Sequence, residues 1–334
     1  MFEADPRVRF TLDAVRQAAR LVRQVQVALA MTKADHSPVT VADFASQALV
    51  ASLLEARFPN DAMVGEEDAS VLRRPEGEVI LSEVLAQLRF SLPGAGPEAV
   101  CYWIDLGSVV SAERFWTLDP IDGTKGFLRG MQYAVALAYI EDGQVLIGAL
   151  GCPNLNFAYL SNAAGDPPME DPDGIGSLVL AVRGQGAWAA SIEGREFLPL
   201  KVSAEANPSR ARLLRSYEAA HTHTGKIADL IADLKIQAAP IGLDSQVKYA
   251  LLAGSAGDLI VRLISSKSPD YKEKIWDQAA GALIVEEAGG KISDLDGKPL
   301  DFSRGRTLLE NRGVLASNGL LHPAGLGALQ RIGA

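Results

Sequence analysis

The chain is short of cysteine, histidine and aromatic residues, has no excess of positive charge, and contains no long apolar run. Each shortage excludes something. Only Cys101 and Cys152 occur among 334 residues. Two cysteines build no disulfide framework, so a reducing compartment, the cytoplasm, is expected, with both thiols serving as buried apolar fillers. No stretch approaches the roughly 18 apolar residues of a membrane span. The opening MFEADPRVRF has acidic residues and no hydrophobic block, so no secretory signal is expected. An organelle stays open only through a transit peptide removed beforehand. The net charge of −9 offers no general attraction to nucleic acid or anionic lipid. A small-molecule partner is expected, with neither nucleic acid nor membrane.

What is present is an ordinary globular balance, 48% hydrophobic and 22% charged residues, on a chain long enough for two domains. Val8, Leu12, Val15, Ala19, Val22 and Leu29 recur at helical steps and predict a long first helix. A loop with Ser37-Pro38 follows. A second helix is expected from about Asp43, with Ala45, Ala48, Leu49, Leu53 and Ala56 on one side and a stop at Phe58-Pro59-Asn60. Residues 71 to 112, punctuated by proline and glycine, predict loops and one short helix near Val84. Phe115 to Leu118 reads as a strand. Tyr133 to Ile140 and Gln144 to Leu150 flank Glu141-Asp142-Gly143 as a hairpin; Ser177 to Arg183 and Ala187 to Ala189 flank Gly184-Gln185-Gly186 as another. Residues 161 to 176 read as a surface insertion. Beyond residue 204 helices alternate with short strands, and Ile275 to Ala288 predicts a helix stopped by Gly289-Gly290. The expected division is 1–203 and 204–334, with Asp277 and the substrate residues in the second part.

Four short stretches carry the unusual acidic residues: Asp43 in VAD, Glu66 in GEED, Asp119 and Asp122 in DPIDGT, and Asp277 after Trp276. Taken singly each has a bland reading, since aspartate caps helices, Asp-Pro and Asp-Gly make turns, and loop glutamates sit in water. Together they read differently. Asp119 closes an apolar strand, Pro120 is expected to force a sharp turn, and Gly123 permits tight backbone geometry that brings Asp122 round. Two carboxylates and a backbone carbonyl then come within reach of one hard cation. Mg²⁺ suits such a donor set, because it takes a few carboxylates and leaves positions for water and phosphate oxygens. No cysteine or histidine lies in these stretches, which argues against zinc.

DPIDGT, with GEED upstream and WDQAAGALIVEEAGG downstream, resembles the lithium-sensitive, metal-dependent phosphatase superfamily that includes inositol monophosphatase. The resemblance implies an α/β fold, a layered α/β/α/β/α sandwich. It implies that Glu66, Asp119 and the Ile121 carbonyl hold one Mg²⁺, that Asp119, Asp122 and Asp277 hold a second, and that Glu66 touches a third, weaker ion. Asp43 and Thr124 would orient and deprotonate the attacking water. Displacement would be in line, without a phospho-enzyme.

The second half narrows the substrate. SYEAAH from Ser216, LDSQVKY from Leu243, Val261-Arg262-Leu263 and YKEKIWD from Tyr271, together with DGTKGFLRG from Asp122, resemble the 3′(2′),5′-bisphosphate nucleotidase branch. That implies hydrolysis of 3′-phosphoadenosine 5′-phosphate to AMP, with the 5′-phosphosulfate form a further substrate. Such a substrate needs a second phosphate held away from the metals. Lys248 and Arg262 are suited to it, Arg262 through its bidentate fork, with Ser245 adding a hydroxyl. His221 is assigned to ribose or phosphate, with His223 its rival. Without the resemblance, Lys248 reads as a solvated helix charge and Arg262 as a strand-end charge. The competing functions are an inositol phosphate phosphatase, separable by a substrate panel, and a catalytically silent nucleotide sensor, against which the complete ligand set argues.

Overall fold

A computed structural model describes residues 4–25, 30–32, 38–160, 169–171, 173–217, 224–265 and 268–334. The first helix, α1 (Pro6–Gln24), is capped by Asp5, whose side chain accepts from the Arg7 amide, and buries Val8, Leu12, Val15, Ala19 and Val22. Leu29 lies outside the described residues. A small antiparallel pair, β1 (Ala30–Thr32) and β2 (Pro38–Thr40), precedes α2 (Val41–Arg57). The expected one-sided burial of α2 is too narrow: every residue from Val41 to Ser52 is buried, while Ala56 is exposed.

Seven strands form the larger sheet, in the order β3 (Ala62–Gly65), β4 (Arg114–Asp122), β5 (Ala134–Glu141), β6 (Gln144–Cys152), β7 (Ser177–Val182), β8 (Gly186–Ser191) and β9 (Leu198–Pro199). Between β3 and β4 lie α3 (Glu78–Leu88) and α4 (Pro97–Asp105). The sequence reading missed α4 because its prolines and glycines read as breakers; Pro97 occupies the first helical turn, where a missing amide costs nothing. Short helices α5 (Thr124–Leu128) and α6 (Phe157–Leu160) follow β4 and β6. The β5–β6 turn has Asp142 and Gly143 both at positive φ, 51° and 73°, the backbone a two-residue hairpin demands.

The second sheet has five strands in the order β11 (Ile241–Gly242), β10 (Leu213–Arg215), β12 (Leu259–Arg262), β14 (Val314–Ser317) and β13 (Lys291–Ser293). Its helices are α7 (Thr224–Leu234), α8 (Val247–Ala253), α9 (Ala279–Glu287) and α10 (His322–Arg331). Strand alternation builds the layers. On β5, Val135, Leu137 and Tyr139 join the core under α1 and α2, while Ala134, Ala136, Ala138 and Ile140 join the core under α8 and α9. On β14, Val314 and Ala316 face that same middle core, and Leu315 faces a third one beneath α7 and α10. The result is the expected α/β/α/β/α sandwich. The middle helix layer touches both sheets, and close approach there is built in: a Cβ on Gly281 of α9 would lie 2.1 Å from the Tyr249 ring of α8. Helix α9 starts at Ala279 rather than at Ile275, so Asp277 precedes the helix instead of lying within it.

Candidate active site

The parallel pairing of β3 with β4 sets the first two carboxylates side by side. Gly65 pairs with Leu118, and the Glu66 amide donates to the Leu118 carbonyl at 3.2 Å, so Glu66 lies beside Asp119. The expected turn at Pro120 is not what brings Asp122 round. Strand β4 continues through Asp122 and carries a bulge: Asp119 pairs with Ala136 and Asp122 with Ala134, so Pro120 and Ile121 stand against Val135 alone. Residues three apart on a regular strand face opposite sides. The extra residue resets the alternation and returns both aspartates to one side. Pro120, with no amide to donate, fits the bulge. Ser46 of α2 donates to the Pro120 carbonyl at 3.1 Å, the Ile121 amide to Asp119 at 3.1 Å, and the Thr124 hydroxyl to the Ile121 carbonyl at 3.2 Å. The chain then turns at Gly123, φ 87°, where a Cβ would lie 2.9 Å from Ser245 Cβ.

Asp43 sits on the first turn of α2. Its Oδ2 accepts from the Thr40 amide and hydroxyl at 2.8 and 2.6 Å, completing a capping box. The capping role is therefore real, and Asp43 is also close enough to Asp119 to raise its pKa. Asp119 is 2% exposed. Its pKa stands well above the usual carboxylate range, first through burial and then through the charges of Glu66, Asp122, Asp277 and Asp43. Burial lifts Asp122 to about 6, opposed by Lys248, Arg262 and the Gln246 amide. Asp277 is also raised well above its ordinary value, by burial first, with Arg262 opposing and Asp122, Glu273 and Glu66 adding to it. The five carboxylates named from sequence thus converge electrostatically. Among the described residues no three of them form a closed ligand cluster by themselves. The donor set still fits a hard cation: buried, crowded, oxygen-only carboxylates whose mutual repulsion a divalent ion would relieve.

The proposed phosphate-holding residues are placed differently from one another. Lys248 is 2% exposed rather than solvated, and its amine donates to the Leu243 and Ser245 carbonyls at 2.8 and 2.9 Å. Burial lowers its pKa to about 8, with Arg262 adding to the effect. Arg262 is paired with Glu273 at 2.8 Å and stands 3.7 Å from Asp277, so it serves the acidic cluster directly. Ser245 is buried against the Gly123 turn. His221 and His223 lie outside the described residues.

Several residues that hold this site were not found from sequence. Gln47 donates to the Glu67 and Ile104 carbonyls and accepts from the Glu67 amide, locking the GEED loop onto α2. Arg306 donates to the Gly65, Gly107 and Val109 carbonyls and lies 4.7 Å from the Trp276 ring centre. Glu273 joins Arg262 to Gln278. Nothing local marks them; each is an ordinary polar residue whose partners are distant in sequence.

Residues 5–334 match the inositol monophosphatase family, and the chain belongs to it. Among curated relatives, a 3′(2′),5′-bisphosphate nucleotidase from Schizosaccharomyces pombe is 40% identical, covering 94% of this chain and 92% of that protein. The enzyme of the same name from Oryza sativa is also 40% identical, covering 95% of this chain and 91% of the relative. Among solved structures, a Thermotoga maritima IMPase superposes with a TM-score of 0.66 over 98% of both chains at 20% identity, a likeness of fold.

Proposed function

We propose that the chain is a Mg²⁺-dependent 3′(2′),5′-bisphosphate nucleotidase that releases the 3′-phosphate of 3′-phosphoadenosine 5′-phosphate, and accepts its 5′-phosphosulfate form. The observation that carries the reading is the charge coupling of Glu66, Asp119, Asp122 and Asp277, four acids from distant segments, with the positive charges of Lys248 and Arg262 opposing it at Asp122. The names of relatives at 40% identity support the substrate class.

Glu66, Asp119 and the Ile121 carbonyl would hold one ion, and Asp119, Asp122 and Asp277 a second, with Glu66 reaching a third. Bound Mg²⁺ makes water acidic and neutralises charge on the phosphate ester. The Thr124 hydroxyl, which donates to the Ile121 carbonyl, would orient the attacking water, and Asp43 at the head of α2 would take its proton. Lys248 and Arg262 supply a positive field for the phosphate that is not cleaved. Arg262 has the further task of holding Asp277 through its charge. Phosphate release from bisphosphate nucleotides, nucleoside monophosphates and inositol phosphates with Mg²⁺ tests the reading. The bisphosphate nucleotides are expected to be cleaved fastest, and activity to vanish in chelator. Preference for an inositol phosphate, or tight nucleotide binding without turnover, would refute it.

A further inference from the structure

Asp122 and Asp277 are separated by more than 150 residues and must hold a fixed distance to share an ion. One buried residue hydrogen-bonds to both segments, to one through its backbone amide and to the other through its side chain. Gln246, 1% exposed, immediately precedes α8. Its backbone amide donates to Asp122 Oδ2 at 2.5 Å. Its side-chain Nε2 donates to the carbonyl of Trp276, the residue before Asp277, at 2.9 Å. Its Oε1 accepts from the Gly281 amide at 3.1 Å. Gly281 lies in the first turn of α9, where a helix amide has no partner within its own helix. The Gln246 carbonyl accepts from the Tyr249 amide at 2.8 Å, which anchors the residue to α8.

We propose that Gln246 is a positioning residue that fixes the separation of Asp122 and Asp277 and so sets the affinity of the ion they share. The proposal rests on the metal-dependent reading above. A buried glutamine that only satisfied polar groups would need partners, but not these: its backbone amide lands on Asp122, its side-chain donor on the peptide that leads into Asp277, and its side-chain acceptor fixes the start of the helix that follows. Hydrophobic side chains of similar length would fill the space and break both bridges of the amide. The backbone bond to Asp122 would then lose its fixed origin. Gln47 holds only the loop after Glu66, and Arg262 reaches Asp122 and Asp277 through its charge, whereas Gln246 makes directed hydrogen bonds to both segments.

The test is Mn²⁺ titration, read by the electron spin resonance of free Mn²⁺, on wild type, Gln246→Met and Gln246→Glu. Methionine keeps the volume and removes both side-chain bonds. Glutamate keeps an acceptor for Gly281 and loses the donor to Trp276. Thermal melting in excess chelator measures the fold alone. The expected result is Mn²⁺ affinity at least tenfold weaker in both variants, with melting in chelator little changed. Unchanged affinity would overturn the proposal, and so would an affinity loss that merely tracks a loss of folded protein. Wild type that binds no Mn²⁺ would overturn the metal reading itself, an outcome distinct from equal binding by all three proteins.

Discussion

At Asp277 two opposing influences meet. Burial and the neighbouring acids raise its pKa, while Arg262, 3.7 Å away, favours the charged form. An amide at that position would relieve repulsion in the metal-free site but is a poor ligand for a hard cation. Asp277→Asn is therefore expected to fold with an undiminished melting temperature in chelator and to lose turnover by orders of magnitude at saturating Mg²⁺. Near-normal activity would remove Asp277 from the site. His322 makes a different residue-scale prediction, far from the carboxylates. Its ring is fully buried, with Ser293 Oγ at 2.9 Å and Ser317 Oγ at 3.1 Å. Burial, aided by Lys291, lowers its pKa to about 4. The unfolded chain takes up this proton near pH 6.5 while the folded one resists, so acid favours unfolding. The stability contribution is present above about pH 6.5 and is lost as pH falls towards 4, by up to about 1.4 kcal/mol per pH unit. The raised carboxylates pull in the opposite direction, so the comparison must be with His322→Gln. Urea denaturation in chelator at pH 7 and pH 5 should show a smaller acid loss in the variant; parallel losses would contradict the account.

Elements differed in how far the sequence displayed them. The β5–β6 hairpin was legible because Asp142-Gly143 supplies the two positive φ angles its turn needs. Helix α1 was legible because its apolar stripe is regular and faces one core. Helix α4 was hidden because a proline at a helix start and one in a loop look alike locally. The bulge in β4 was hidden for a related reason: Asp-Pro-Ile-Asp suggests a turn, and only the register against β5 reveals a strand with one extra residue. The candidate carboxylates could be singled out from sequence, since their motifs are local and distinctive, whereas Gln47, Gln246, Glu273 and Arg306 act through partners that only the fold brings near. The turn that ends β4 gives a test at this scale. Gly123 has φ 87° and no room for a Cβ beside Ser245. Gly123→Ala is expected to cost about 1–3 kcal/mol through backbone strain and to weaken turnover by displacing Ser245. A variant as stable and active as wild type in chemical denaturation and steady-state assays would show that this close approach is not needed.

Across the whole molecule, the sandwich places α8 and α9 between two sheets, and the site gathers where their N-terminal segments meet the bulged end of β4. The larger sheet contributes Glu66, Asp119 and Asp122; the segment leading into α9 contributes Asp277; the loop and helix after β11 contribute Ser245 and Lys248. Acidic and basic groups therefore act on the same carboxylates, Lys248 and Arg262 on Asp122 and Arg262 on Asp277 as well, and this pairing of charges is what the proposed bisphosphate substrate would use. The most direct measurement of that claim is kcat/KM for 3′-phosphoadenosine 5′-phosphate and for 3′-AMP, in wild type and in Lys248→Ala. Arg262→Ala is less suited, because its charge acts on both Asp122 and Asp277 and its loss also strips Glu273 of its ion pair. A charge-assisted hydrogen bond contributes roughly 1.5–3 kcal/mol, which corresponds to about tenfold to a hundredfold in kcat/KM. Wild type should favour the bisphosphate by a factor in that range, and Lys248→Ala should lose most of the preference, with a much smaller loss on 3′-AMP that comes from the charge withdrawn from Asp122. Equal wild-type rates on the two substrates, or an equal loss on both in the variant, would contradict the account.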